Sequence, residues 1–189
     1  MTVIAELQSI SGVPLHPLLV HLPVVFVPLA FIGAIVGLAV KRWRGWCLPL
    51  TAVFATLGLL GTQLAIMSGE GLEELLDEES RAIEAHAQLA EQARPFVFLF
   101  FVFAVLAAAA WHFVTKDGEA GADGDGGGAR SAWSKALAPL LILSIFTGAL
   151  SSVWVYRTGH SGAKSAWGDV VKEQPKSEGG GGEADEDGD

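Results

Sequence analysis

Apolar residues in this chain are gathered into four long blocks, at about 15–40, 46–67, 95–115 and 133–156. None carries Asp, Glu, Lys or Arg in its interior. Each block is long enough for a helix rising ~1.5 Å per residue to cross a ~30 Å hydrocarbon layer. The pattern predicts an all-α integral membrane four-helix bundle. The spanning domain covers residues 1–171, and an acidic, Gly-rich tail at 172–189 is expected to be disordered. Four spans place both ends of the chain on one face. That face carries residues 1–14, 68–94 and 157–189, and the opposite face carries 41–45 and 116–132.

The connections add detail. Between the second and third spans, Leu72, Leu75, Leu76, Ile83, Leu89 and Ala90 recur at helical spacing among acids, which predicts an amphipathic interfacial helix over 70–92, broken near Ser80. Val3, Ile4, Leu7 and Ile10 suggest a short surface helix, and the absence of Lys or Arg from 1–11 argues against a signal peptide. Residues 116–130 form a Gly/Asp-rich connection of flexible composition.

Charge then orients the chain. Lys41, Arg42 and Arg44 crowd one tight loop, whereas the 69–94 connection is acid-rich with Arg81 and Arg94 as its bases. By the positive-inside rule the tight loop is cytoplasmic, and both termini are extracytoplasmic in a multi-pass cell-membrane protein. Trp43, Trp46, Trp111 and Trp133 mark one interface, and Trp154 and Tyr156 the other. The net charge of −9 argues against a nucleic-acid partner. The single cysteine, Cys47, excludes an intramolecular disulfide and cysteine-based zinc or iron–sulfur motifs, and reads as a small buried hydrophobe.

Small residues are expected to hold the helices together, since lipid offers no hydrophobic drive between them. Gly33-x-x-x-Gly37 is one such surface and a candidate homodimer contact. Thr51, Ala55, Gly58, Thr62 and Ala65 form a second stripe, and Ser144, Gly148 and Ser151 or Ser152 a third. The phenylalanine-rich third span (Phe96, Phe98, Phe100, Phe101, Phe103) reads as lipid-facing.

The chemistry-bearing residues are the histidines. His16, His21, His86 and His160 all fall on the face that carries the termini, while His112 lies towards the other face. His21 is a turn and a half inside the first span, where an ionisable group is expected to face the bundle interior. His160 lies in a Gly-containing stretch that allows a turn back over the helix ends. Pro23 and Pro28 free the carbonyls of Leu19 and Val24, and broken backbone at membrane depth points to a site. Histidines from different segments suit haem b, whose propionates would take Arg94 and Arg157, with Arg81 and Lys164 nearby. They also suit copper or zinc held by His16, His21, His86 and His160, with Glu70, Glu79 or Glu84 as oxygen ligands. His16 and His21, five residues apart, diverge on a regular helix. Gln63 is placed to bond His21 or a freed carbonyl.

No nucleophile–base pair or phosphate loop is present, and no span buries an acid, which argues against a catalytic enzyme and a proton pump. The two readings are a redox subunit relaying electrons to an extracytoplasmic protein, and a non-catalytic scaffold or small-solute membrane protein with structural histidines.

One stretch carries a resemblance. His16-Pro17-Leu18-Leu19-Val20-His21-Leu22-Pro23 resembles the HPLLVHFP signature of the "domain of unknown function 2231" membrane proteins, with Leu22 in place of Phe. Ser68-Gly69 after the second span, His86 in the following helix, and the closing segment Tyr156–Ala163 are similar to that family's other landmarks. The likeness spans about 14–167. It implies a four-span bacterial-type membrane protein, joined in some relatives to a Rieske-type domain.

Overall fold

A computed structural model describes residues 9–10, 13–73, 81–119 and 127–172. The chain opens with a minimal antiparallel ladder, β1 (Ser9–Ile10) against β2 (Val13–Pro14). Five helices follow: α1 (His16–Leu19), α2 (His21–Ala39), α3 (Arg44–Glu73), α4 (Arg81–Glu119) and α5 (Gly127–Lys172). The surface helix expected at the N-terminus falls mostly outside the described residues, and its Ser9 and Ile10 are in β1.

The break between α1 and α2 has a local cause. Pro23 has no N–H to offer the carbonyl of Leu19, so the helical ladder skips one rung at Val20 while Val20 keeps helical angles. Pro23 therefore falls in the first turn of α2, where the missing donor costs little, and only Pro28 lies in its interior. At the other end a single 3-10 turn, Lys41–Trp43, reverses the chain. Arg44 then reaches back: its Nε donates to the Gly37 carbonyl at 2.8 Å, placing a cation on the C-terminal carbonyls of α2.

With α1 and α2 taken together, four helical segments are long and apolar enough to cross a membrane: His16–Ala39, Lys41–Glu73, Arg81–Lys116 and Ser131–Gly168. They form an antiparallel ring in which α2 packs on α3 and α5, and α4 packs on α3 and α5. Val24, Leu29, Ile32, Val53, Leu60, Phe98, Ile142 and Phe146 point outwards and remain exposed. A band of that extent suits contact with lipid.

Two apolar clusters fill the interior. One joins Val27, Ala30, Ala55, Val97, Phe100, Ala104 and Val155, and the other joins Leu48, Ala107, Ala110, Leu137 and Leu141. The alanines and glycines let large neighbours in. At Gly148 a Cβ would come within 2.9 Å of the Phe100 ring, so Phe100 occupies the space a side chain would take.

Four sequence expectations are corrected here. Phe100 is fully buried, so the third span uses one of its phenylalanines as the largest core plug rather than turning all of them to lipid. Gly33 lies against Thr51 and Gly37 against Leu48, so the GxxxG face packs on α3 within the chain rather than lying free for a second copy. Residues 70–73 complete α3 and 81–92 open α4, which runs through Pro95 into the span without ending; Ser80 and its neighbours at 74–80 lie outside the described residues. Finally, Thr158–Ala163 does not turn back but continues α5 straight on. The acidic tail at 173–189 also lies outside the described residues.

Candidate functional site

The site is built at the end of the bundle where α1 and α4 begin and α3 and α5 finish. His16 opens α1, with Pro17 beside it in the first turn. Its imidazole leans onto the last turns of α3. Nδ1 donates to the Ala65 carbonyl at 2.9 Å and lies 3.1 Å from Ser68 Oγ, and Ser68 Oγ itself donates to that carbonyl at 3.0 Å. The ring can lie this close because residue 69 is glycine: a Cβ there would stand 3.1 Å from His16 Cε1.

His86, in the second turn of α4, repeats the arrangement on α5. Its Nδ1 donates to the Thr158 carbonyl at 3.0 Å and lies 3.0 Å from Ser161 Oγ, which donates to the same carbonyl at 2.9 Å. A Cβ on Gly162 would stand 2.9 Å from His86 Cε1. Each imidazole thus meets a carbonyl at position i, a serine at i+3 and a glycine at i+4 of the helix it leans on. Ala65, Ser68 and Gly69 serve one ring; Thr158, Ser161 and Gly162 serve the other.

The cradle fixes the tautomer. A backbone carbonyl only accepts, so Nδ1 carries the proton in both rings. In the neutral imidazole Nε2 then holds the lone pair, the state a metal requires. Among the described residues neither Nε2 has a hydrogen-bond partner. The two ring centres are 6.1 Å apart with planes at 84°.

The structure does not bring the other two histidines to this pair. His21 is exposed, and its Nδ1 donates to the carbonyl of Pro17, four residues back in α1, at 2.7 Å, which turns it away from the interior expected for it. One turn of helix offers that acceptor locally, and the α1–α2 break does not redirect the ring. His160 is also exposed and stacks on Tyr156, ring centres 6.1 Å apart. With two of the four expected ligands elsewhere, no group of three or more His, Cys, Asp or Glu converges to hold a metal ion among the described residues.

The remaining candidates are dispersed. Arg157 stacks its guanidinium on Trp154, 4.7 Å from the ring centre. Arg94 lines an outward-facing groove with Gln63, rather than Gln63 meeting His21. Glu84 accepts a bond from Gln88 at 3.2 Å, Glu70 is exposed, and Glu79 lies outside the described residues. Cys47 is buried, its thiol donating to the Gly33 carbonyl at 3.2 Å.

One polar atom at the site stands out. The Thr158 hydroxyl is buried and has no partner among the described residues. Thr51, Thr56, Thr62, Thr115 and Thr147 each bond back to the carbonyl four residues earlier. Thr158 alone among the described threonines does not, and its counterpart under His16 is Ala65.

The sequence reading missed both cradles. Their signal was the Ser-Gly pair closing each even-numbered span, Ser68-Gly69 and Ser161-Gly162, whose equivalence shows only once a histidine is seated on each.

A helical bundle with four membrane-length helices and an imidazole pair at one end defines a small multi-pass membrane protein. The chain belongs to the DUF2231 family, described as a predicted membrane protein, whose model matches residues 12–175. No curated protein and no solved structure matches the chain.

Proposed function

We propose that the protein is an electron-transfer membrane subunit that holds one haem b between His16 and His86. The observation that carries this is the pair itself: two Nδ1-anchored imidazoles, Nε2 unpartnered, with centres 6.1 Å apart. A metal–imidazole bond of about 2 Å and a nitrogen-to-centre distance of about 1 Å give about 6 Å between two rings on one ion. The donor set selects the kind of ion. A bare zinc or copper site draws three or four ligands from the protein, and among the described residues only two candidate ligands, both histidines, meet here. Two axial imidazoles suffice where a porphyrin supplies the other four donors, and bound haem would exchange one electron at a time.

His16 and His86 would hold the group, and the Ala65 and Thr158 carbonyls, by accepting the Nδ1 protons, would raise the basicity of both imidazoles. Arg157, adjoining Thr158, is the cation offered to a propionate. The cations of the 41–45 turn favour an extracytoplasmic imidazole end, and with it an extracytoplasmic redox protein as partner.

The test is an absorbance difference spectrum, dithionite-reduced minus oxidised, on protein purified from cells supplied with a haem precursor. One haem per chain with b-type bands is expected. Stoichiometric copper without haem bands, or neither in a folded sample, would sink the proposal.

A further inference from the structure

A groove of about 530 Å³ opens sideways from the bundle between α3 and α4, lined by Leu59, Leu60, Gln63, Arg94, Pro95 and Phe98. Its walls are apolar, and Leu60 and Phe98 are among the exposed large side chains of the lipid-facing band. Its polar groups are gathered at the edge nearer the imidazole pair. Gln63 lies two residues before Ala65, the carbonyl that anchors His16. Arg94 lies about 12 Å along α4 from His86 at the helical rise. We propose that this groove binds the ring of a lipid-soluble quinone, with the isoprenoid tail left in the bilayer.

Access and donor chemistry support that occupant. Leu60 and Phe98 at its rim belong to the outward apolar band, so an occupant would arrive through the membrane. The Arg94 guanidinium donates hydrogen bonds only, as a quinone carbonyl requires. The Gln63 amide both donates and accepts, so it serves the quinone carbonyl and the quinol hydroxyl alike. Pro95, inside α4, has no N–H for the carbonyl of Glu91, which leaves a backbone acceptor at the same level. Leu59, Leu60 and Phe98 suit the flat apolar faces of the ring. The volume falls in the range of small-molecule sites, about 300–1,000 Å³. The choice of a quinone over other lipids rests on the redox reading of His16 and His86, since the groove lies on the membrane side of that pair.

The test is native mass spectrometry of the full chain, released from nanodiscs that contain equimolar decylubiquinone and phosphatidylglycerol. One quinone per chain is expected on the wild type, with retention at least tenfold lower in Gln63→Leu and Arg94→Gln. Circular dichroism checks that each variant is folded, and Gln63→Leu alone decides the matter if Arg94→Gln is not. Retention of phosphatidylglycerol in place of quinone, or equal quinone retention in wild type and variants, overturns the assignment. The absorbance spectrum of the same sample separates the two claims. Quinone retained without haem bands keeps the groove and removes the haem, whereas haem bands without retained quinone remove the groove alone.

Discussion

His16 and His86 come from different helical hairpins, yet their rings sit 6.1 Å apart and nearly perpendicular, each seated on a carbonyl–serine–glycine cradle of the same pattern. The two helical hairpins, α1–α2–α3 and α4–α5, therefore each contribute one imidazole and one cradle. Equivalent seats predict equivalent responses to substitution.

Ser68→Ala and Ser161→Ala remove the same feature, a hydroxyl that lies beside Nδ1 and donates to the anchoring carbonyl. Each should destabilise the fold by about 0.5–1.5 kcal/mol, the net worth of a hydrogen bond. The two losses should agree with each other, as read by chemical unfolding in detergent. A large loss for one and none for the other would contradict the equivalence.

The glycines should be less forgiving. Gly69→Ala and Gly162→Ala place a methyl 3.1 Å and 2.9 Å from Cε1 of the ring each supports. The imidazole or the helix must shift, at a cost of about 1–3 kcal/mol, and cofactor retention should fall at least tenfold. Gly159→Ala is the control, because nothing lies within 4 Å of its added methyl. There, alanine in a helix interior should gain about 0.5–1 kcal/mol.

The four histidines should separate cleanly. His16→Ala and His86→Ala should each abolish haem retention, while His21→Ala and His160→Ala should leave the spectrum unchanged. Loss of haem in His160→Ala would mean that the ring stacked on Tyr156 moves into the site.

Thr158→Val tests the orphan hydroxyl. Replacing a buried, unpartnered donor with an apolar group of the same shape should be neutral or stabilising in thermal unfolding. A loss above about 1 kcal/mol would show that the hydroxyl serves a group bound at the site.

Gly37→Ile should unfold the bundle rather than dissociate a dimer, because residue 37 lies against Leu48 of the same chain. Light scattering with detergent correction, read beside circular dichroism, distinguishes the two.

The sequence carried the architecture because lipid enforces it. Blocks of apolar residues with charge between them have few other solutions, so the four spans and their order were legible. Helix ends were less so. Hydropathy marks where the hydrocarbon stops, not where the helix does: α4 extends beyond Arg94 despite Pro95, and α5 runs on past Tyr156. The glycines of 158–163 were read as a turn signal, but Gly162 is in a helix and makes room for His86. For His16, His21, His86 and His160 the span pattern indicated a shared end of the bundle but not the direction of each ring. His21 failed for a local reason, since a carbonyl one turn back was the nearer partner. Convergence of His16 with His86 depends on contacts across more than fifty residues to α3 and more than seventy to α5, which no local pattern encodes.

The central claim is that one haem iron takes both His16 and His86. Electron paramagnetic resonance of the oxidised, haem-supplied protein tests it most directly. Two imidazole ligands with planes near 84° predict a low-spin, strongly anisotropic signal that converts to high spin or disappears in His16→Ala and in His86→Ala. A high-spin signal in the wild type, or a low-spin signal unaltered by either substitution, would contradict it.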